Sequence, residues 1–413
     1  MDKMREDARY IVDRAIETVL PERAVAKALE GLGLRGKIFM LAIGKAAWRM
    51  ASSARERLGE TLKTGVVITK YGHSFGDIPG IEVFEAGHPL PDENTLKATA
   101  RALEMLQGEE YDSVLFLVSG GGSSLFELPA EGVTLKELKD INNQLLRSGA
   151  SITEINTIRK RLSKVKGGRL TRMVAPAQVY SLVLSDVLGD RLDSIASGPA
   201  YPDSSTVNEA LSIVEKYSLN LSPAMIDAIK GETPNKLLNV QTEIVGSVGK
   251  VCEAAGVFAG ELGYEPLILT TTLDCEAREA GKLLSAIARE EKHDRPVRRP
   301  CAIILGGETV VLVKGEGKGG RNQELALSFA ISAQGLTNTV LVSVGTDGTD
   351  GPTDAAGAIV DGQSRARMID AGIDPDLYLI DNDSYNALKS SGDLLLTGPT
   401  GTNVNDLIVL LCR

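Results

Sequence analysis

Short runs of Val, Ile and Leu, uninterrupted by polar residues, recur along this 413-residue chain and alternate with amphipathic segments. Uninterrupted apolar runs are typical of strands buried on both faces. Their alternation with helices predicts an α/β fold, in which helices cover both sides of a parallel sheet. The strands predicted in the first half are Ile38–Ile43, Val66–Thr69, Val83–Glu85, Val114–Val118 and Tyr180–Leu184. The helices predicted between them are Ala46–Leu58, Asn94–Leu106, Leu135–Leu146 and Ile152–Val165.

The second half of the chain repeats the alternation of strands and helices, but two of its strands lie close together. Its predicted strands are Ile244–Gly246, Pro266–Thr271, Ala302–Leu305, Val310–Val313, Val340–Val344, Leu394–Thr397 and Leu407–Leu411. Two of these strands flank Gly306-Gly307-Glu308, a spacing that is typical of a β-hairpin. Because a hairpin pairs its strands antiparallel, the second sheet is predicted to be mixed.

The length of the chain favours two domains, since a single core rarely grows to 413 residues. The segment Ser218–Val240 is polar and contains Ser222-Pro223 and Thr233-Pro234, so we place the boundary there. The predicted domains are residues 1–235 and 236–413. The sequence leaves open which domain the first helix packs against.

The overall charge limits the partners that the chain can bind. It has 45 basic and 55 acidic residues without basic blocks, which argues against a nucleic-acid partner. Its four cysteines form no C-x-x-C pair, so a zinc site is not expected. Neither a signal-type apolar run at the N-terminus nor a run of about 20 apolar residues is present, which predicts a cytoplasmic protein with no membrane partner.

The strongest local signal is the strand Val114–Val118, which runs directly into Ser119, Gly120, Gly121, Gly122, Ser123 and Ser124. Glycines allow backbone amides to converge on an anion, and ligands bind beyond the carboxyl ends of strands in open α/β sheets. We therefore predict that this turn binds a phosphate or a substrate carboxylate; the alternative is a tight turn without a ligand. No Walker motif is present, and Leu125 replaces the third glycine of a dinucleotide fingerprint.

Two charged residues follow other predicted strands. Lys45 lies just beyond Ile38–Ile43 at the start of a helix, where a cation favours phosphate binding and is otherwise slightly disfavoured by the helix dipole. Asp186 follows Tyr180–Leu184 and is a candidate to accept a hydroxyl proton or to hold magnesium. The alternatives are an exposed lysine and an Asx turn.

The second half contributes a basic glycine loop and an acidic loop. Gly319 and Gly320 precede Arg321, whose guanidinium can make two parallel hydrogen bonds to a phosphate. Asp347 and Asp350 follow Val340–Val344 and do not match the spacing of an EF-hand, so magnesium shared with nucleotide phosphates is the preferred interpretation. The alternatives are a flexible surface loop and a series of Asp-capped turns.

A basic segment, Asn156–Arg169, carries six Lys or Arg residues and by default forms a solvated helix face. Asn156 and Arg159 share one face of the predicted helix and are candidates to face an acidic substrate. His88, in Gly87-His-Pro89, is assigned a structural role, with a catalytic role as the alternative.

Taken in order, these loops resemble the class II glycerate kinases, also called glycerate 2-kinases, whose C-terminal half is the MOFRL domain. The resemblance rests on Ile43–Ala46, Gly87–Pro89, Ser119–Ser124, Ser185–Gly189, Ser197–Pro199, Gly306–Thr309, Gly319–Glu324 and Gly345–Gly357. It implies a Rossmann-like N-terminal domain, a smaller mixed α/β C-terminal domain and an active site in the cleft between them. It also implies ATP, a divalent metal such as Mg²⁺, transfer to the 2-hydroxyl of D-glycerate, and Lys45 and Arg321 as the main catalytic candidates.

Two other functions stay open at this point. One is an NAD(P)-dependent hydroxypyruvate reductase, against which the broken glycine fingerprint counts. The other is a non-catalytic protein that binds a sugar acid. Whether the chain is a monomer or a small homo-oligomer is not fixed by the sequence.

Overall fold

The computed structural model describes residues 2–293 and 296–413. The chain divides into two compact units, which are described separately: an N-terminal unit, Pro21–Val245, and a C-terminal unit, Met1–Leu20 together with Gly246–Arg413. The predicted ranges, 1–235 and 236–413, differ from these units at both ends of the N-terminal range.

The strands and helices of the described residues are as follows. The strands are β1 Ile38–Ile43, β2 Thr64–Lys70, β3 Ile81–Ala86, β4 Ser113–Val118, β5 Gln178–Leu184, β6 Val240–Gly246, β7 Glu265–Leu273, β8 Cys301–Gly307, β9 Thr339–Gly345, β10 Gly357–Asp361, β11 Leu394–Leu395 and β12 Asp406–Cys412. The helices are α1 Asp2–Thr18, α2 Pro21–Leu29, α3 Ala47–Leu58, α4 Glu93–Gly108, α5 Gly122–Leu125, α6 Leu135–Arg147, α7 Ile152–Arg161, α8 Arg169–Met173, α9 Val207–Lys216, α10 Pro223–Ile229, α11 Val248–Glu261, α12 Ala277–His293, α13 Arg321–Ser332, α14 Ser364–Asp370, α15 Pro375–Ile380 and α16 Ser384–Ser390.

The N-terminal unit is built on a sheet with the strand order β3-β2-β1-β4-β5-β6. Strands β1 to β5 pair in parallel, and every residue of β1 and β4 is buried. This is the strand order of Rossmann sheets, in which the order of the strands reverses between β1 and β4 and a crevice is left beyond their carboxyl ends. Ile43 lies opposite Val118, so the loops that follow β1 and β4 begin side by side. The α/β fold class and the Rossmann-like sheet are confirmed.

The C-terminal unit is built on a second sheet, with the order β11-β10-β9-β12-β8-β7. Only β7 and β8 pair in parallel among its described pairs, and the other pairs are antiparallel, so the mixed sheet is confirmed. The predicted hairpin is wrong. Strand β8 pairs with β12 on one side and β7 on the other, which leaves no free edge for Val310–Val313. That segment makes one bridge, from Val310 to Glu276, and Val313 is 70% exposed.

Long-range contacts explain where the units divide. Helix α1 is held within the C-terminal unit because Arg5 donates to Asp361 at 2.8 Å and to Asp393 at 2.9 Å. The Tyr264 hydroxyl donates to the buried carboxylate of Asp7 at 2.9 Å. Strand β6, predicted to open the second domain, instead lies at the edge of the first sheet, beside β5.

Within the described residues, no helix combines the length and the apolar character that crossing a bilayer requires.

Candidate functional site

The loops after β1 and β4 are joined by backbone contacts in which glycine is required. Gly44 has φ of +113°, and a Cβ at this position would overlap the Oγ and the carbonyl oxygen of Ser119. The Lys45 amide donates to the Gly120 carbonyl at 2.8 Å, and the Ala46 amide donates to Ser119 Oγ at 3.1 Å. These contacts fix Lys45 beside the glycine turn.

Three polar side chains converge on that turn, and its glycines make room for them. A Cβ on Gly120 would overlap Oδ2 of Asp186 and would lie 3.4 Å from Cε of Lys45. A Cβ on Gly121 would lie 2.9 Å from Nε2 of His88 and 3.4 Å from Cγ of Lys45. A turn without a ligand does not require functional side chains at such distances, so this arrangement favours a binding site.

The sequence assigned His88 a structural role, but the structure places its imidazole beside the glycine turn, which makes it a further candidate site residue. Burial lowers its pKa, and the nearby charges of Lys45, Lys70 and His73 lower it further. Both effects favour the neutral imidazole. The signal that pointed to this residue was the loop Gly87-His-Pro89 between a strand and a helix, which on its own carries no specific chemistry.

Hydrogen bonds hold the serines of the turn in place. Ser123 Oγ lies 2.8 Å from Ser197 Oγ, and the Ser197 hydroxyl donates to Oδ1 of Asn156 at 3.1 Å. The Ser124 hydroxyl donates to the Gly121 carbonyl at 3.1 Å. Asn156 is buried, so the structure places it behind the turn as a supporting residue.

Arg159 lines a cavity in the N-terminal unit with a volume of about 140 Å³. The loop after β3 contributes His88 and Leu90 to its wall, and the glycine turn contributes Gly121 and Ser123. Arg159 donates through Nε to Oδ1 of Asn142 on α6 at 2.6 Å. Sequence reasoning paired Asn156 with Arg159, but the structure separates their roles: one lies behind the glycine turn and the other faces the cavity.

In the C-terminal unit, Arg321 is the first residue of α13 and is held by two carboxylates. Its Nε lies 2.7 Å from Oδ2 of Asp406, and its Nη1 donates to Glu308 at 2.7 Å. Burial lowers the pKa of Arg321, but Asp406 and Glu308 outweigh burial and hold it above its ordinary value. Burial also raises the pKa of Asp406 to about 7, although Arg321 partly offsets this.

Asp350 occupies the start of α13. Its carboxylate accepts from the amides of Asn322 at 3.1 Å and Gln323 at 2.9 Å, and from the Gln323 side chain at 2.9 Å. Such bonds satisfy amides that a helix start leaves unpaired. Burial raises the pKa of Asp350, and those hydrogen bonds oppose the rise. A Cβ on Gly320 would overlap this carboxylate, and one on Gly319 would overlap the Ser384 hydroxyl.

A larger cavity, of about 730 Å³, lies in the C-terminal unit beside these groups. Arg321, Asp347 and Asn403 supply polar groups to its wall, and Val310 and Val313 supply an exposed apolar side. Asp347 accepts from the Thr349 amide through Oδ1 at 3.0 Å. The volume is in the range of pockets for small molecules and cofactors. Within residues 2–293 and 296–413, no three His, Cys, Asp or Glu residues are grouped to hold a metal by themselves.

Comparisons with known proteins cover nearly the whole chain. A family profile described as "Domain of unknown function (DUF4147)" matches residues 7–230, and one described as "MOFRL family" matches residues 301–406. A protein of Thermotoga maritima named D-glycerate 2-kinase is 58% identical over 410 residues, which are 99% of this chain and 98% of that protein. A crystal structure of a glycerate kinase from Thermotoga maritima, 57% identical, matches with a TM-score of 0.97 and covers 100% of both chains.

A further relative carries a different name. An Agrobacterium vitis protein that bears a provisional name, hydroxypyruvate reductase, is 41% identical over 416 residues, or 98% of this chain and 94% of that protein.

Proposed function

The chain belongs to the MOFRL family of glycerate 2-kinases, and from this premise we propose that it transfers the γ-phosphoryl group of ATP to the 2-hydroxyl of D-glycerate. The products are 2-phosphoglycerate and ADP. Both the nucleotide and the position of transfer are part of the proposal.

The observation that carries the proposal is the convergence of Lys45, His88 and Asp186 on Gly120 and Gly121 at the reversal point of the first sheet. Phosphoryl transfer needs positioning and charge neutralisation more than covalent chemistry. Lys45 supplies a fixed cation for the charge on the transferred group. Asp186 supplies a carboxylate that accepts the proton of the attacking hydroxyl or holds the metal.

Arg321 is proposed as the second cation of the reaction. Asp406 and Glu308 hold its guanidinium in one orientation, so little reorganisation is needed when charge develops on the phosphoryl group. The cavity beside it, with Gly319 and Gly320 on its wall, is proposed to accept part of the nucleotide.

Magnesium is proposed to accompany ATP and, when bound, to neutralise phosphate charge. Mg²⁺ is commonly held by one or two carboxylates together with substrate phosphates. Asp347, on the wall of the larger cavity, and Asp186, beside Lys45, have oxygens of the type that fits this need. Asp350 fits less well, because both of its oxygens already accept hydrogen bonds at the start of α13.

An ADP-release assay tests the proposal. The purified chain is mixed with ATP, Mg²⁺ and D-glycerate, and ADP is expected only when all three are present. Phosphorus NMR of the product then separates 2-phosphoglycerate from 3-phosphoglycerate. Absence of ADP release under these conditions contradicts the kinase proposal, and 3-phosphoglycerate as the product contradicts the position of transfer.

Reduction of hydroxypyruvate is the second candidate, favoured only by the name of the Agrobacterium relative. It predicts a loss of NADH or NADPH absorbance without ATP. Leu125 is fully buried where the dinucleotide fingerprint requires its third glycine, which argues against it. A non-catalytic sugar-acid binding protein would instead be stabilised by the acid without releasing ADP. The cytoplasmic location and the monomeric or small homo-oligomeric state remain predictions from the sequence.

A further inference from the structure

The basic residues of α7 and of the segment after it differ in how their charges are compensated. Lys160 pairs with Asp203 at 3.2 Å, and Lys166 pairs with Glu127 at 2.5 Å. Arg161 donates to the Ser205 carbonyl at 2.8 Å. These contacts explain most of the cluster as structural.

Arg159 is different. Among the residues that the structure describes, its one hydrogen bond runs from Nε to Oδ1 of Asn142, and no carboxylate forms an ion pair with it. Burial lowers its pKa, and the more distant charge of Glu127 only partly opposes this. Arg159 is partly buried, and even partial removal of a cation from water without a counter-charge is costly, so such a group is normally paired with an anion. The bond at Nε orients the guanidinium and leaves its two terminal nitrogens for a ligand.

The cavity that Arg159 lines carries a net positive charge. Glu127 also contributes to its wall, but the Lys166 ammonium, which is fully buried, neutralises that carboxylate. The uncompensated charge is therefore that of Arg159. In addition, Oε1 of Glu127 is buried without a hydrogen-bond partner among the described residues. An acceptor of this kind is complementary to a hydroxyl donor.

The size of the cavity sets the class of ligand. A volume of about 140 Å³ is close to the engineered cavity of about 150 Å³ that holds benzene, a molecule of six heavy atoms. A three-carbon hydroxy acid has a similar number of heavy atoms, whereas nucleotides need pockets several times larger. Leu90, Pro91 and Leu138 close the wall with apolar groups.

We propose that this cavity is the acid-binding subsite of the enzyme and that Arg159 binds the substrate carboxylate through its two terminal nitrogens. The inference rests on the proposed function and deepens it, because it names the residue that selects an acid over a neutral polyol. A bidentate arginine–carboxylate pair has the required geometry. Gly121 belongs both to the cavity wall and to the turn that contacts Lys45, and His88, also on the wall, lies beside Gly121, so the hydroxyl end of the acid lies toward Lys45.

Kinetics of the full-length Arg159→Gln variant test the assignment. We expect the KM for D-glycerate to rise by roughly 10- to 100-fold, which corresponds to the loss of one charge-assisted pair. The KM for ATP is expected to change by less than about twofold. The ratio of kcat/KM for D-glycerate over glycerol, which lacks the carboxylate, should fall by the same factor as the KM rises, a change that a merely structural role does not produce.

Two further variants separate charge from folding. Asn142→Asp places a carboxylate against Nε of Arg159 and is expected to weaken D-glycerate binding about tenfold by supplying the missing counter-charge from within the chain. Arg147→Gln removes an exposed cation from the end of α6, outside the cavity wall, and should leave every constant unchanged. If Arg159→Gln fails to fold, Asn142→Asp decides the question.

Outcomes for the subsite and for the function are distinguishable. Calorimetry with D-glycerate, with and without a non-hydrolysable ATP analogue, measures acid binding independently of turnover. Binding that Arg159→Gln abolishes supports the subsite even when no ADP is released, which would defeat only the kinase proposal. Turnover with an unchanged KM for D-glycerate in both Arg159→Gln and Asn142→Asp overturns the subsite and leaves the kinase proposal standing.

Discussion

The glycines that follow β4 and the glycines that precede α13 look alike in the sequence, but the space left by their missing side chains is used differently. At Gly120 and Gly121 that space is taken by Lys45, His88 and Asp186. In the segment 315–320 the corresponding space is taken by the loop that precedes α16 and by Asp350. For example, a Cβ on Gly315 would overlap the Asp381 carbonyl. The first turn admits functional groups, whereas the second is packed against neighbouring parts of its own unit.

The cations beside the two glycine segments differ in the same way. Arg159 has no ion-pair partner among the described residues, whereas Arg321 is bound by Asp406 and Glu308. A glycine-rich segment with a nearby cation therefore has two physical meanings in one chain. In one region it leaves charge for a ligand, and in the other it fixes a charge that the fold itself has compensated.

The largest expected effects come from removing the proposed catalytic cations. Both Lys45→Ala and Arg321→Ala should lower kcat by roughly 10³, if each contacts charge in the transition state. Their stabilities should differ: Lys45→Ala unfolds like the parent, but Arg321→Ala loses about 2 kcal/mol because it leaves the buried Asp406 without its partner. ADP release and urea unfolding measure the two effects. A Lys45→Ala enzyme that retains most of its turnover would remove Lys45 from the mechanism.

Alanine substitutions at the two glycine segments sharpen the comparison. Gly120→Ala places a methyl group on Asp186 and should reduce kcat about 100-fold by displacing groups around Lys45. Gly320→Ala places a methyl group on Asp350 and should cost about 1 to 3 kcal/mol of stability.

Kinetics and thermal unfolding of both variants are compared, with Gly59→Ala as a matched control, since a Cβ there meets no neighbour. Its positive φ makes a small stability loss expected, without a kinetic effect. Equal stability losses in Gly120→Ala and Gly320→Ala would contradict the distinction.

The acidic loop after β9 contains the next contrast. Asp347→Asn should raise the Mg²⁺ concentration needed for half-maximal activity about tenfold, with stability unchanged. Asp350→Asn should instead cost about 1 to 2 kcal/mol, because it weakens the bonds to the start of α13, and should leave the Mg²⁺ requirement as it is. Magnesium titrations and melting curves give both readouts. The reverse pattern would assign the metal to Asp350.

The last contrast is in the pH dependence of stability, to which His88 of the N-terminal unit and Asp406 of the C-terminal unit contribute with opposite signs. The lowered pKa of His88 means that the unfolded state binds more protons just below pH 6.5, so stability rises with pH through that window. The raised pKa of Asp406, about 7, means that the folded state binds more protons from about pH 4 to 7. Stability therefore falls as pH rises through that range.

Substitution isolates each contribution. His88→Asn should remove a positive contribution to the slope of the unfolding free energy against pH, and Asp406→Asn should remove a negative one. Each contribution is at most about 1.4 kcal/mol per pH unit. Melting temperatures at half-unit pH steps measure the slopes. Slopes of the same sign for the two residues would mean that one pKa shifts in the opposite direction.

Strand positions were the most predictable part of the fold, and contacts between distant segments the least. The apolar run Ile38–Ile43 coincides with β1 residue for residue. Every residue of this strand is buried, so the apolar run begins and ends where the strand does. The hairpin at Val310–Val313 failed because β12, almost a hundred residues later in the chain, takes the edge of β8. No local pattern reports that competition.

The same limit applies to the candidate site. Lys45 and the glycine turn were predictable because each follows a buried strand and parallel strands end at the same edge. The cap that Asp350 provides could not be predicted, because it joins a loop to a helix that begins 29 residues earlier. Nor does the segment 156–169 reveal which of its cations is unpaired, because the partners Asp203 and Glu127 lie outside it.

The C-terminal unit is discontinuous in the chain, and this has a consequence for biosynthesis. Helix α1 leaves the ribosome before the N-terminal unit, yet Asp361 and Asp393, which bind its Arg5, are made more than 350 residues later. The N-terminal unit is one continuous stretch that can fold while the rest is still being translated. Until the C-terminal unit has been synthesised, the apolar face of α1, including Ile11 and Val12, lacks its native contacts. Delayed pairing of this helix therefore bears chiefly on the discontinuous C-terminal unit, and a chaperone that binds α1 during elongation would affect that unit first.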